Sequence, residues 1–175
     1  MKSVDPEAET PAAPHATIAE ASMAGEAPIL LAVDFSEDSG AALNWACDHA
    51  AVVGAPLVIL HVVHDPANAP GTYKPSAQDP LEPNTDVAER KLVRFLERMG
   101  RKNLHLPVPE SATLLCVEGL PAPKIVEIAQ DHGAGLLVLG SGSHNGLERF
   151  VRGSTAHKVA RHAQMPVTIV RADSQ

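Results

Sequence analysis

Ile29-Leu30-Leu31-Ala32-Val33-Asp34-Phe35-Ser36 is the stretch that decides the fold: five apolar residues in unbroken succession, then an abrupt change to polar ones. A strand with one wet face alternates apolar and polar residues. A run without alternation suits a strand covered on both faces, as in a parallel sheet. Ser36 then offers an N-cap oxygen, with Asp38 and Ser39 close behind. Ala42, Trp45, Ala46, His49 and Val53 recur at helical spacing until Gly54 ends the helix. Leu57-Val58-Ile59-Leu60-His61-Val62-Val63, after Pro56, is a second run of the same buried kind.

Downstream the alternation of strand and helix continues. Residues 65–85 hold five prolines and one glycine and read as a long surface loop. A helix follows, with Val87, Leu92, Phe95, Leu96 and Met99 on one face and Gly100 near its end. Thr113–Val117 is a third strand. Pro121 or Pro123 suits the first turn of a helix carrying Ile125, Val126, Ile128 and Ala129. Leu136–Leu139 is a fourth strand, after Gly133 and Gly135. A last helix carries Ala156, Val159, Ala160 and Ala163, and Val167–Val170 forms a fifth strand after Pro166. Strands alternating with helices imply right-handed crossovers, and so an α/β fold: a doubly wound, five-stranded parallel sheet with helices on both faces. Residues 1–28, rich in Ala, Pro and Glu without an apolar period, read as a flexible tail ahead of a domain over 29–172.

Length and charge bound the function. A chain of 175 residues has room for one domain with a real core. A net charge of −7 argues against general binding to nucleic acid or to an anionic membrane, both of which need a Lys/Arg excess. Two cysteines are too few for a disulfide scaffold, so a reducing, cytoplasmic setting is expected. No apolar run approaches the ~20 residues that span a bilayer, and the opening residues lack the apolar core of a secretory signal.

In a doubly wound sheet, ligands bind beyond the carboxyl ends of the strands where the strand order reverses. Strand one offers Val33-Asp34 there. Strand four offers Gly140-Ser141-Gly142-Ser143-His144-Asn145-Gly146, and Gly153-Ser154-Thr155 opens the last helix. Small residues let backbone N–H groups approach an anion, and a helix N-terminus adds donors and positive dipole. Together these elements make a phosphate cradle. Two common motifs are excluded: no G-x-x-x-x-G-K-[ST] occurs, and Gly140-x-Gly142-x-x-x-Gly146 is one residue longer than G-x-G-x-x-G. His61 and His64 point to opposite faces of a strand, and His157 and His162 lie off the i, i+4 spacing, so no metal site is expected. Adjacent Ser143-His144 lacks the G-x-S-x-G elbow of a nucleophilic hydrolase, and no catalytic residue is assigned.

The segment Val138-Leu139-Gly140-Ser141-Gly142-Ser143, nine residues, then Gly153-Ser154-Thr155-Ala156, resembles the signature G-x2-G-x9-G-[S/T] of the universal stress protein family. Asp34-Phe35-Ser36, Leu60-His61-Val62, Gly119-Leu120-Pro121 and the stretch from Arg161 to Val167 resemble other landmarks of that family, over Pro28 to Arg171. The resemblance implies strand order 3-2-1-4-5 and a homodimer built through the last strand, Val167–Val170. For one branch it also implies ATP, with or without Mg2+, between strands one and four. It places Ala32, Val33 and Asp34 beside adenine and ribose, Val62 against adenine through its backbone, and Leu139 and Gly140 on the ribose side. Ser143, Gly153, Ser154 and Thr155 would meet the phosphates. Arg149 and Arg152 lie in the nine-residue spacer, where a guanidinium would neutralise phosphate charge. Ser143 stands where the motif has its second glycine; a Cβ there asks for a backbone angle that only glycine takes freely. Two functions follow: a nucleotide-binding regulatory homodimer of the stress response, with slow ATP hydrolysis at most, or a dimer that binds no nucleotide and acts through protein partners.

Overall fold

The structure, a computed structural model, describes residues 26–64, 84–102, 108–142 and 155–172. The sequence expectations for most of the tail, for loop residues 65–83, and for Ser143, Arg149, Arg152, Gly153 and Ser154 fall outside these. The described elements run β1 (Ile29–Ala32), α1 (Glu37–Val53), β2 (Leu57–Val63), α2 (Asn84–Lys102), β3 (Thr113–Glu118), α3 (Pro121–Asp131), β4 (Leu136–Gly140), α4 (Thr155–His162) and β5 (Val167–Val170). The five strands form one parallel sheet in the order β3-β2-β1-β4-β5, as expected.

The unbroken apolar runs become the centre of the sheet. All four residues of β1 are buried, because β1 lies between β2 and β4, with Ile29 opposite both Leu57 and Leu136. Alternate residues serve opposite faces. Ile29, Leu31, Val33 and Ile59 pack with Ala42, Leu43, Ala46 and Ala50 of α1 and with Leu92 and Phe95 of α2. Leu30, Ala32, Val58, Leu60, Leu137 and Leu139 pack with Ala122, Ile125 and Ala129 of α3 and with Val159 of α4. Each fully buried Leu, Ile or Val contributes roughly 1.5–3 kcal/mol of transfer free energy, so both cores depend on the central strands.

The helix ends follow local chemistry. Ser36 caps α1 by accepting from the Ser39 N–H at 3.1 Å, and Gly54 closes it with φ +72° and an N–H bonded to the Ala50 carbonyl at 2.8 Å. Pro121 begins α3. Two readings need correction. Val53, expected on the buried face of α1, is 40% exposed, because it is the last residue of the helix, beside the Gly54 cap. The second helix starts at Asn84, inside the stretch read as loop.

Candidate functional site

From β1 the chain crosses into α1 on one face of the sheet, and from β4 into α4 on the other. The strand order therefore reverses between β1 and β4, and a crevice is expected beyond their carboxyl ends. Ala32 is paired with Leu60 on one side and Leu139 on the other. Val62 lies two residues beyond Leu60, level with Asp34. Ala32, Val62 and Leu139 share the α3/α4 core, so these three anticipated residues form an apolar floor on one side of the crevice. Thr155 opens α4 on that same side and is exposed.

Asp34 is exposed at the mouth, yet it is held. Its Oδ1 accepts from the Ser36 N–H at 3.1 Å and from the Ser39 hydroxyl at 2.5 Å, while its own N–H donates to Ser39 Oγ at 3.0 Å. The Ser36 and Ser39 hydroxyls are themselves 3.3 Å apart. One buried serine thus fixes both the backbone and the carboxylate of Asp34. Beneath it, the Val33 carbonyl lies 2.8 Å from His61 Nδ1; a carbonyl only accepts, so Nδ1 carries the proton. Phe35, with φ +66°, lays its ring 4.2 Å from the His61 ring centroid and 5.6 Å from that of Phe95.

At the end of β4, Gly140 is required for packing. A Cβ there would lie 2.7 Å from the Asp38 carbonyl carbon and the Ser39 nitrogen, so only glycine lets the first turn of α1 rest on the strand. Asp38, 6% exposed, reaches over this contact. Its carboxylate accepts from the Ser141 hydroxyl and, at 2.8 Å, from the Ala172 N–H. The Ser141 N–H donates to the Val170 carbonyl at 2.8 Å. Gly142 follows with φ +70°, and, its chain neighbours aside, no atom of the described residues lies within 4 Å of where a Cβ would stand. Among the described residues at this strand exit, Gly142 is the left-handed one.

The structure thus gathers Ala32, Val33, Asp34, Val62, Leu139 and Gly140 at one end of the sheet, with Thr155 on the floor side. Sequence reading missed the roles of Asp38, Ser39, His61 and Ser141. The Ser36-x-x-Ser39 spacing was a usable signal for Ser39, but a bond between residues 103 apart in sequence leaves none. The cysteines take no part: burial, then the nearby Asp48 charge, pushes the Cys47 thiol up to about 11, and burial, then Glu89, does the same to Cys116. Thiols that stay protonated at neutral pH are poor nucleophiles and poor metal ligands. Among the described residues, no group of three His, Cys, Asp or Glu side chains is arranged to hold a metal ion.

Comparison with known proteins agrees with this architecture. Residues 27–171 match the model of the universal stress protein family. Universal stress protein YxiE of Bacillus subtilis is 30% identical over 146 residues, covering 82% of this chain and 97% of its own length. The chain spans about half (48%) of the curated Mycobacterium tuberculosis relatives it matches at 28% identity. Among solved structures, a universal stress protein in complex with cAMP superposes with a TM-score of 0.58 at 23% identity, over 82% of this chain and 95% of its own. One from Archaeoglobus fulgidus in complex with dAMP gives 0.56 at 22% identity, over 83% and 98%. At those identities the superpositions attest the fold, while the match of nearly the whole domain to one family model decides the descent: this chain belongs to the universal stress protein family.

Proposed function

We propose that this protein binds an adenine nucleotide, ATP with or without Mg2+, in the crevice between β1 and β4, and that it works as a regulatory homodimer in the stress response. The observation that carries the reading is the juxtaposition at that crevice. A floor of Ala32, Val62 and Leu139 lies beside the fixed Asp34 carboxylate and the left-handed Gly142. A flat apolar base suits such a floor, with Val62 meeting adenine through its backbone. A ribose hydroxyl suits Asp34, whose neighbours already hold it in place, and Leu139 and Gly140 flank the ribose. The phosphates would run toward Ser143 and the Gly153-Ser154-Thr155 segment, where backbone N–H groups and the start of α4 favour negative charge. Relatives bound to cAMP and dAMP support an adenine nucleotide as the ligand class. Dimerisation through the outer edge of β5, Val167–Val170, completes the reading.

The test is to denature purified protein, identify any released nucleotide, and titrate ATP and AMP with and without Mg2+ by calorimetry. Wild type is expected to bind. Gly142→Val places a β-branched residue at φ +70°, a conformation costing roughly 1–2 kcal/mol for an L-residue, and it should weaken binding. Gly153→Val should abolish it by blocking the phosphates. Absence of nucleotide from wild type together with no titration overturns the reading and leaves a stress-family dimer acting through protein contacts.

A further inference from the structure

On α2, Lys91, Arg94, Arg98 and Lys102 follow one another at intervals of three, four and four residues, which stacks them in one column along the helix. Arg90 and Arg101 border the column, and all six side chains are exposed. Six of the chain's 14 Lys and Arg residues therefore lie on a single helix. The helix's three carboxylates fall elsewhere on its exposed arc. Asp86 and Glu97 precede the border cations Arg90 and Arg101 by four residues, the spacing that favours pairing. Lys91, Arg98 and Lys102 have no acidic residue three or four positions away. An ordinary solvated helix interleaves its charges, whereas here only Arg94 of the column has an acidic neighbour, Glu97 three residues on, and like charges stand four residues apart, which disfavours the isolated helix.

Among the described residues the column has no acidic partner. Arg98 lies over the Phe95 ring, 5.5 Å from its centroid, which steadies the middle of the column. Among the described residues, Lys91, Arg94, Arg101 and Lys102 make no ion pair or hydrogen bond. The remainder of the molecule has the opposite sign: a helix at +3 within a chain at −7 leaves −10 elsewhere.

We infer that this cationic column is a docking site for an acidic segment of another protein. At about 1.5 Å of rise per residue the column runs for about 16 Å, its charges about 4.5–6 Å apart along the axis. Carboxylates four residues apart on a helix, or on alternate residues of an extended chain, recur every ~6–7 Å and meet these cations one for one. Duplex nucleic acid carries a charge every ~1.7 Å of its axis, far denser than the column. Both a duplex and an anionic bilayer also present broad negative surfaces to the acidic remainder of the chain. A narrow acidic segment meets the column alone. The site lies on α2 and does not depend on nucleotide binding.

The experiment is fluorescence anisotropy of a fluorescein-labelled oligo-glutamate peptide with the full chain. Wild type is expected to bind at low salt, with affinity falling as salt rises. Arg94→Glu/Arg98→Glu should lower affinity by at least about tenfold, while Lys158→Glu/Arg161→Glu, on the exposed side of α4, should change it by less than about twofold. Far-ultraviolet circular dichroism checks the fold, and if charge reversal melts α2, Lys91→Gln/Arg98→Gln decides in the same way. Absence of binding, or equal losses in the α2 and α4 variants, overturns the inference. Tighter binding of labelled RNA or phosphatidylserine vesicles, lost in the same α2 variant, overturns it in favour of that partner.

Discussion

Phe35 holds φ at +66°, a left-handed conformation that is a genuine outlier for a bulky side chain. The surroundings impose it: the ring is wedged between His61 and Phe95, and the residues on either side are bound through Asp34, Ser36 and Ser39. The identity of Asp34-Phe35-Ser36 was plain in the sequence, but this backbone angle was not, because it arises from rings contributed by β2 and α2. Gly140 is the complementary case, a glycine needed for its missing Cβ. Gly140→Ala is expected to destabilise the fold by roughly 1–3 kcal/mol, the usual range for overpacking, read as a lower urea midpoint with unchanged slope. The cysteines give a pH signature. Their thiols titrate near 9 when unperturbed and near 11 in the fold, so the unfolded chain releases these protons first. The contribution is complete below pH 9 and disappears as pH rises toward 11. Denaturation midpoints should therefore fall across that window, and the fall should flatten in Cys47→Ala/Cys116→Ala.

At the scale of elements, the buried runs were the legible part. Ile29–Val33 and Leu57–Val63 have no polar alternation because helices cover both faces of the sheet, and that requirement is written directly into composition. Helix ends were readable where a cap supplies them, as at Ser36 and Gly54. They were not readable at Asn84, which a proline-rich neighbourhood conceals. The edge strands behave differently. β5 pairs with β4 on one side, and Ile169 on it is 46% exposed, a large apolar residue on a strand that no proline or lysine protects. If this edge joins two copies, Ile169→Lys should shift the protein toward monomer in sedimentation velocity while leaving the thermal midpoint of dilute samples nearly unchanged. A variant that sediments as wild type would place any dimer contact elsewhere.

For the whole molecule, the site depends on strand order, and that is where the sequence pattern alone runs out. Alternating strands and helices specify a doubly wound sheet but not which strands are neighbours; the order came from family resemblance, and the structure has it. Once β1 lies beside β4, Ala32, Val62 and Leu139 fall on one face without further assumption. The latch from Asp38 to Ser141 and Ala172 had no sequence signal, because it joins α1 to the exits of two strands distant in the chain. Net charge also concealed a local feature, since −7 overall contains a helix at +3. Finally, every strand of a parallel sheet points the same way, so the chain enters β1 at one end of the molecule and leaves β5 at the other, where the Asp38 carboxylate receives the Ala172 N–H. A fluorophore tethered just after Ala172 would therefore sit at the crevice end of the sheet, within energy-transfer range of a labelled nucleotide bound as proposed, whereas one placed before Ile29 would report from the far end and serve as its internal reference.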